Sequence, residues 1–484
     1  MKGLRGALAA ELVRSRRTAG AWLWLIGVVI SLWEYGSWRL VSGQNSWQAL
    51  MSWHVIYATG LCLPVAALAS AMTLRRERAS RSGGTDWRPV GLAQVRAARL
   101  LVLLGQHLGL IVGLVAPAVV LGVVFNDFGP VPLRQIAATV ALLWLAAAVW
   151  IVLGHLLAER IGLFPTVGIA FVWQIAATIH AERHRWWMEP WTWSVRPILP
   201  VLGVHGNGVP AKPGEAVLHI SPWPAIGLSL ALFILLAVAM VRLPAPAPRC
   251  QRGAGAEQHG AQQTAVPAQQ PVERRRPTPV RAMVPVIWGR GFWASVVMAA
   301  LLVATTRVVW NANYTRGLVG LLVVPCLGCL LACLAAQGLQ PALRSILTRT
   351  SAARHATIAV LLTSVPFAGV VLFGAALSGQ GAIAVASVGL SFGLACLILS
   401  MALAVRFSSG AAAMTTLVGL VLSIVMGGSA LAQAPLLWLL GPWSWAYSAN
   451  TPGRMVVAGT VSVVLAVLCG IGLVRALQGS AARS

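Results

Sequence analysis

Twelve apolar stretches, each long enough to cross a bilayer, occupy most of this chain of 484 residues. A membrane-spanning helix needs about 20 predominantly apolar residues, and two sets of six stretches meet that length. The first set is predicted at 18–36, 51–74, 98–125, 135–158, 162–180 and 222–241, and the second at 288–309, 317–339, 356–377, 383–405, 410–430 and 454–474. The sequence therefore predicts an all-α polytopic membrane protein with about twelve transmembrane helices.

The chain is too poor in charge to keep a globular surface in water. Hydrophobic residues make up 58% of it and charged residues only 10%, whereas soluble domains carry roughly 25% charged residues. Its net charge of +25 could indicate a nucleic-acid-binding protein. The arginines, however, cluster in short loops beside apolar runs, which is typical of cytoplasmic loops that face anionic lipid headgroups. Composition therefore favours a protein of the lipid bilayer and argues against nucleic acid as a partner.

Arginine-rich loops set the predicted orientation of the chain. The largest groups lie at 75–99, after the second span, and around the segment between the sixth and seventh spans. With twelve spans these loops all fall on one side of the membrane, so both termini are predicted to be cytoplasmic. The predicted divisions are an interfacial amphipathic helix at 1–17, a first six-span half at 18–242, a flexible cytoplasmic linker at 243–283, a second six-span half at 284–476 and a cytoplasmic tail at 477–484.

The two sets of spans resemble each other, which indicates a 6+6 tandem duplication. Residues 145–174 and 394–423 each contain a span, a tight arginine-containing turn and another span. Beyond each copy lies a Pro-Trp-Thr/Ser-Trp sequence, at 190–193 and again at 442–445. Both copies are predicted to place tryptophan rings in the outer headgroup region, where such rings are favoured. Accidental repetition in a chain with 21 tryptophans is the alternative.

The sequence contains no site that could supply energy for transport. No G-x-x-x-x-G-K-[ST] phosphate-binding loop is present. The predicted spans hold almost no carboxylates, although carriers driven by protons or sodium normally need ionisable groups inside the membrane. Cys326, Cys329 and Cys333 share a helical face, but no histidine or carboxylate is adjacent, so we predict no metal site. No bound cofactor is expected, and a separate ATPase is the simplest energy source.

The basic loop after the second span combines features that suit contact with a cytoplasmic protein. Residues 75–99 contain a Gly-Gly break, then Trp-Arg-Pro, then a stretch that can form a helix. A short rigid helix there could seat in a groove on an ATPase and transmit its motion, while an ordinary loop anchored to lipid is the alternative. The residues predicted to couple the chain to an ATPase are Glu77, Arg78, Gly84, Trp87, Arg88 and Pro89, with Arg344 and Arg349 in the second half.

Together these features resemble the type-2 permeases of ABC exporters. The resemblance rests on the amino-terminal amphipathic helix, the six-span unit, the basic loop with Glu77 and the hairpin before the last span. The segment 190–208, with its Pro-Trp, Leu-Pro and His-Gly-Asn-Gly elements, looks like the lantibiotic-type permeases of Gram-positive bacteria. Those permeases are usually single six-span units that dimerise, whereas this chain looks like two such units fused.

The resemblance implies a cytoplasmic ABC ATPase dimer as partner, which would hold ATP and Mg²⁺, and coupling through the loop after span two. The shorter loop of the second half leaves open whether both halves contact the ATPase equally. The resemblance also implies a substrate path between spans two and five of the two halves. Residues inside these spans are the candidates, although a single histidine in a helix bundle is more often hydrogen-bonded to a neighbouring helix. The predicted path residues are Trp53, His54, Tyr57, Trp173, Gln174, Thr415 and Thr416.

The favoured function is the permease subunit of an exporter, without enzymatic activity of its own. It would move a hydrophobic or amphipathic compound, such as a peptide antibiotic, drug or lipid, across the bacterial cytoplasmic membrane. An ion-coupled carrier with twelve spans is the first alternative, but charged residues inside the predicted spans are lacking. A membrane enzyme acting on lipid-linked sugars would need paired carboxylates, and none is apparent. A scaffold without transport activity is the last alternative.

Overall fold

The computed structural model describes residues 2–16, 18–41, 45–79, 91–125, 128–243, 279–309, 311–339, 352–427 and 437–483. Within these ranges the backbone forms helices joined by turns, and the one β-bridge joins Val204 to Pro210. Helices are the expected outcome for such apolar sequence, because a backbone in lipid has to satisfy its N–H and C=O groups internally.

The α-helices divide into two groups along the chain. Up to residue 243 they are α1 (Lys2–Ser15), α2 (Leu23–Val41), α3 (Trp47–Ser52), α4 (Cys62–Ala79), α5 (Leu92–Phe125), α6 (Leu133–Ile161), α7 (Leu163–His180), α8 (Leu199–Leu202) and α9 (Trp223–Arg242). From residue 279 they are α10 (Pro279–Ile287), α11 (Arg290–Val309), α12 (Ala312–Leu318), α13 (Val324–Leu339), α14 (Ala352–Leu377), α15 (Ala382–Arg406), α16 (Ser409–Gly427), α17 (Trp445–Ser448) and α18 (Pro452–Arg483).

The described residues contain eleven helical runs long and apolar enough to cross a membrane. A twelfth is present if Gly3–Ser15 and Gly20–Leu40, which meet at 79°, count as one bent span. Helix α2 alone falls short of the others because Glu34 and Arg39 lower its mean hydropathy. The prediction of an all-α, multi-pass membrane protein is confirmed.

The predicted divisions correspond only in part to the helices. Helix α1 covers most of the predicted interfacial segment, and α10 begins at residue 279, inside the predicted linker. The linker residues 244–278 lie outside the described residues. At the carboxyl end, α18 continues through residues 477–483, which were predicted as a tail.

Spans two and eight are interrupted by a wider helical turn at the same relative place. Span two runs from α3 through a π-helical turn at Tyr57–Leu61 into α4, and span eight from α12 through a π-helical turn at Val319–Val323 into α13. Each turn is followed closely by a proline, Pro64 or Pro325. Proline has no N–H for the carbonyl four residues earlier and its ring clashes with that carbonyl, which accounts for the widened turn.

These two interrupted spans form the centre of the molecule. In their most apolar stretches, 78% of the residues in Trp47–Glu77 and 67% in Ala312–Leu339 are buried inside the protein. The corresponding share is 17% for both α9 and the span Pro452–Gln478. Residues that stay exposed in an apolar span face lipid, so α9 and α18 lie at the periphery.

Helix α16 joins the second group of helices to the first. Its residues Met414, Leu417 and Val421 are buried in the same hydrophobic core as α4, α6 and α7. One close approach is at Gly60, where a Cβ atom would lie 3.0 Å from Val421 Cγ1. The absence of a side chain at Gly60 thus lets α16 pack directly against the π-helical turn of span two.

Candidate functional site

A cavity of about 520 Å³ lies where spans two and five meet the second group of helices. The first half lines it with residues from 52–60, from α7 and from the loop at 207–210, and the second half lines it with four apolar side chains. Those four are Leu322, Val421, Ile424 and Val425. Pockets for drug-sized ligands are roughly 300–1,000 Å³ and mostly apolar, so this cavity has the size and lining to hold a small amphipathic molecule.

The polar part of the cavity wall comes from the first half. Ser52, Thr59, Gln174 and Asn207 are its polar lining residues, against an otherwise mostly apolar surface. A few fixed polar groups in an apolar pocket orient a ligand, while the apolar surface supplies most of its binding free energy. The wall is therefore chemically asymmetric, since the second half contributes apolar side chains only.

Gln174 has a structural task in this wall. Its Nε2 donates a hydrogen bond to the carbonyl of Ala58 at 3.1 Å, and its Oε1 accepts one from the N–H of Leu63 at 3.0 Å. On the next turn of α7, Thr178 Oγ1 donates to the carbonyl of Thr59. These side chains pair backbone groups in and beside the π-helical turn, which lipid or an apolar cavity could not satisfy.

The structure places the predicted path residues in different surroundings. Trp53 and Gln174 line the cavity. His54 and Tyr57 are close to Trp53 in sequence. They are fully buried and do not line the cavity. Trp173 stacks edge to face with Trp150 and Trp191, with ring centroids 5.5 and 6.2 Å apart.

The two predicted path residues of the second half do not reach the cavity either. Thr415 is exposed on α16, and its hydroxyl donates to the carbonyl of Ala411 on its own helix. Thr416 is buried beside Cys329 of α13. Their neighbours Val421 and Ile424, farther along α16, are the residues that form the cavity wall.

A buried hydrogen-bonded pair of ionisable side chains, which joins the first two predicted spans, was missed by the sequence analysis. Glu34 Oε2 of α2 lies 2.7 Å from His54 Nδ1, and both side chains are only 1% exposed. The expectation that charged residues are lacking inside the spans is thus wrong at this position. The signal was available in the sequence as a single glutamate within the first apolar stretch, but its partner lies 20 residues away on another helix.

Glu77, a predicted coupling residue, belongs to an ionic cluster at the predicted cytoplasmic end of α4. Its Oε1 lies 3.3 Å from Arg99 of α5, 3.6 Å from Arg14 of α1 and 3.9 Å from Arg76. Glu11 of α1 is paired with Arg14 and Arg76 as well. This cluster ties three helices together at the base of the central span.

The structure does not describe the side chains of the other predicted coupling residues. Arg78 lies near the end of α4, and its side chain is not described. The remaining ones lie outside the described residues: Gly84, Trp87, Arg88, Pro89, Arg344 and Arg349.

On the predicted outer side, residues 203–211 close one face of the cavity. Asn207, Gly208 and Pro210 of this loop line it. His205 sits between two carboxylates, with Nδ1 2.9 Å from Glu182 Oε2 and Nε2 2.7 Å from Glu215 Oε2. Hydrogen bonds to Glu182 and Glu215 raise the pKa of His205 above its ordinary value.

Comparison of the chain with family models, with curated proteins and with solved structures gave no match. The functional assignment therefore rests on the chain's own sequence and geometry.

Proposed function

We propose that this chain is the membrane permease of an ABC exporter, with two fused six-span units and a separate ATPase as its energy source. The observation that carries the proposal is the cavity between spans two and five of the first unit and helices α12–α13 and α16 of the second. This is the position in which the family resemblance implies a substrate path. The apolar wall with a few polar groups suits a hydrophobic or amphipathic compound.

Repeated structural features support the proposed duplication. Both central spans combine a short capped helix with a π-helical turn, and the caps are Ser46 before α3 and Asn311 before α12. The following spans, α5 and α14, each contain an internal proline, Pro117 and Pro366. Two independent irregularities at corresponding places favour repetition of one ancestral unit over chance.

The proposed setting is the cytoplasmic membrane of a bacterium, with both termini and the arginine-rich loops on the cytoplasmic side. An ABC ATPase dimer would bind there, hydrolyse MgATP and act through the loop after span two. The ionic cluster around Glu77 supports this role, because it would carry a displacement of that loop into α1, α4 and α5 together.

The proposal can be tested with the chain purified in lipid nanodiscs and the ABC ATPase encoded beside it. We expect no ATP hydrolysis by the chain alone and a stable complex when the ATPase is added. Charge reversal at Arg78 and Arg88 should weaken that complex by about tenfold or more, since several charge-assisted contacts would be lost. Reversal at Arg183, on the opposite side of the membrane in the proposed topology, is the matched control. ATP hydrolysis by the isolated chain would contradict the proposal.

One observation favours the alternative of a proton-coupled carrier. The buried Glu34–His54 pair places ionisable groups inside the membrane region, and such groups often mark ion pathways. Uptake of a lipophilic dye into liposomes that contain only this chain, driven by a pH gradient and abolished by E34Q, would support the carrier. Dye uptake that does not respond to the pH gradient would leave the ATPase-driven exporter as the better assignment.

A further inference from the structure

The loop 203–211 is a compact turn that covers the predicted outer end of the cavity. Its two ends are joined by the hydrogen bond from Ala211 N to the Gly203 carbonyl, and its tip by the bond from His205 N to the Val209 carbonyl. Gly203 and Gly208 have positive φ angles of 67° and 82°, which residues other than glycine rarely adopt. The conformation of the loop is therefore fixed by its own backbone bonds.

The loop is anchored at its start by Val204, which is fully buried in the core. Near its tip, two carboxylates of the described residues bond to it. Glu182, directly after α7, accepts from the Gly206 N–H at 2.7 Å and contacts His205 Nδ1. Glu215 contacts His205 Nε2 and accepts from the Lys212 N–H at 2.8 Å. The imidazole of His205 thus bridges the two carboxylates, and the Gly206 N–H adds a second bond to Glu182.

The protonation state of His205 decides whether both links exist. A neutral imidazole has one N–H donor and one lone pair, whereas the imidazolium has two donors. With a carboxylate on each nitrogen, only the imidazolium can donate to both Glu182 and Glu215. Loss of one proton leaves a nitrogen lone pair facing a carboxylate less than 3 Å away, which is repulsive.

We propose that His205 is a proton-operated latch that holds the loop 203–211 over the cavity when protonated and releases it when neutral. This regulation rests on the proposed function in one respect, since the cavity is taken as the place where the transported compound binds. Asn207, Gly208 and Pro210 are both parts of the loop and parts of the cavity wall. Release of the latch would therefore open the cavity toward the predicted outer side.

The charged surroundings of the latch define its pH range. Besides the two carboxylates, Arg196 interacts with Glu182, Lys212 lies beside Glu215, and the pair formed by His180 and Glu189 sits farther along the same segment. The pKa of His205 is raised, so the latch is fully closed below the ordinary histidine value of about 6.5 and opens as pH rises through the raised value. The pKa of Glu215 is lowered, mainly by the Lys212 N–H and next by His205, so the closed state extends downward in pH.

A cysteine at Ser52, which lines the cavity, can report on access from the outer side. We would label Ser52→Cys in proteoliposomes with a membrane-impermeant maleimide at several pH values. The rate would be divided by that of Asn313→Cys, an exposed residue in the first turn of α12 on the predicted outer side, which corrects for thiol ionisation. Labelling of the unsubstituted chain shows how much of the signal comes from the native cysteines.

The normalised rate should rise by about threefold or more from a pH below to a pH above the raised pKa of His205. In H205Q, which has no titratable group, it should be high at both pH values. In H205R, which stays charged and offers several donors, it should be low at both. A pH dependence retained in H205Q, or a rate in H205R that rises with pH as in the wild type, would overturn the latch.

This experiment is independent of the ATPase. Failure of the chain to bind an ATPase would contradict the proposed function but would leave the labelling result unchanged. Equal thermal unfolding of H205Q and wild-type protein at a pH above the raised pKa of His205, where the wild-type latch is open, would show that the variant is folded.

Discussion

At the scale of single residues, the buried pair of Glu34 and His54 joins two spans. Both side chains are 1% exposed and 2.7 Å apart. A buried polar side chain that loses its hydrogen-bond partner is costly because its hydration has been lost as well. The pair fastens α2 to the segment between α3 and the π-helical turn, and so fixes the first span against the central one.

Removal of one partner should therefore destabilise the protein more than removal of both. We expect H54L to lower the free energy of unfolding by about 1–3 kcal/mol, because the buried carboxyl group of Glu34 loses its hydrogen-bond partner. The double variant E34L/H54L should lose clearly less stability than H54L. Thermal or denaturant unfolding in detergent, evaluated as a double-mutant cycle, measures the difference. Additive losses would show that the two side chains do not interact. H107L is the control, since His107 is buried in α5 without a hydrogen-bond partner among the described groups.

At the scale of helices, the apolar stretches predicted the spans well but not their internal irregularities. A stretch of about 20 apolar residues can be recognised locally, and the predicted bounds differ from the observed ones by a few residues for most spans. Pro64 and Pro325 were visible in the sequence, yet the π-helical turns also depend on Gln174 and Thr178 from another helix. The cavity was less predictable still, since its wall combines residues about 250 positions apart in the chain.

The sequence placed two path residues, Trp53 and Gln174, at the cavity, because they lie on spans two and five. It placed His54 and Tyr57 there for the same reason. Helical geometry separates neighbouring residues by about 100°, so residues adjacent in sequence point in different directions. Without knowing which face of span two meets α16, Trp53 could not be distinguished from His54.

The packing of span two against α16 depends on Gly60. A Cβ atom there would approach Val421 Cγ1 to 3.0 Å, so G60A should cost about 1–3 kcal/mol and narrow the cavity. The double variant G60A/V421A should recover most of the loss, because the shorter side chain makes room for the new methyl group. Gly168 of α7 has no atom within 4 Å of a Cβ position, so G168A is the matched control. Thermal unfolding of the four proteins tests this. Equal effects of G60A and G168A would contradict it.

At the scale of the whole molecule, the two groups of helices form one body through α16. Met414, Leu417 and Val421 complete the core of the first group, and Phe164 of α7 packs against a cluster containing Cys333 and Ala412 of the second. The two groups are thus held together by apolar packing between their helices. Because the cavity lies along the same seam, any relative movement of the groups changes its volume.

This seam should hold even when the chain is cut between the two groups. A protease site inserted into 244–278 allows the folded protein to be cleaved, and the two fragments should still co-elute in detergent because α16 remains in the core of the first group.

Gly410 lies at this contact, where a Cβ atom would be 2.1 Å from Met72 Sδ. G410L should therefore separate the fragments, and M72A should partly restore their association by removing the opposing side chain. Gly459 of α18 has open space around its Cβ position, so G459L should leave the cleaved complex intact. Separation of the wild-type fragments after cleavage would mean that covalent connection, and not packing along α16, keeps the two groups together.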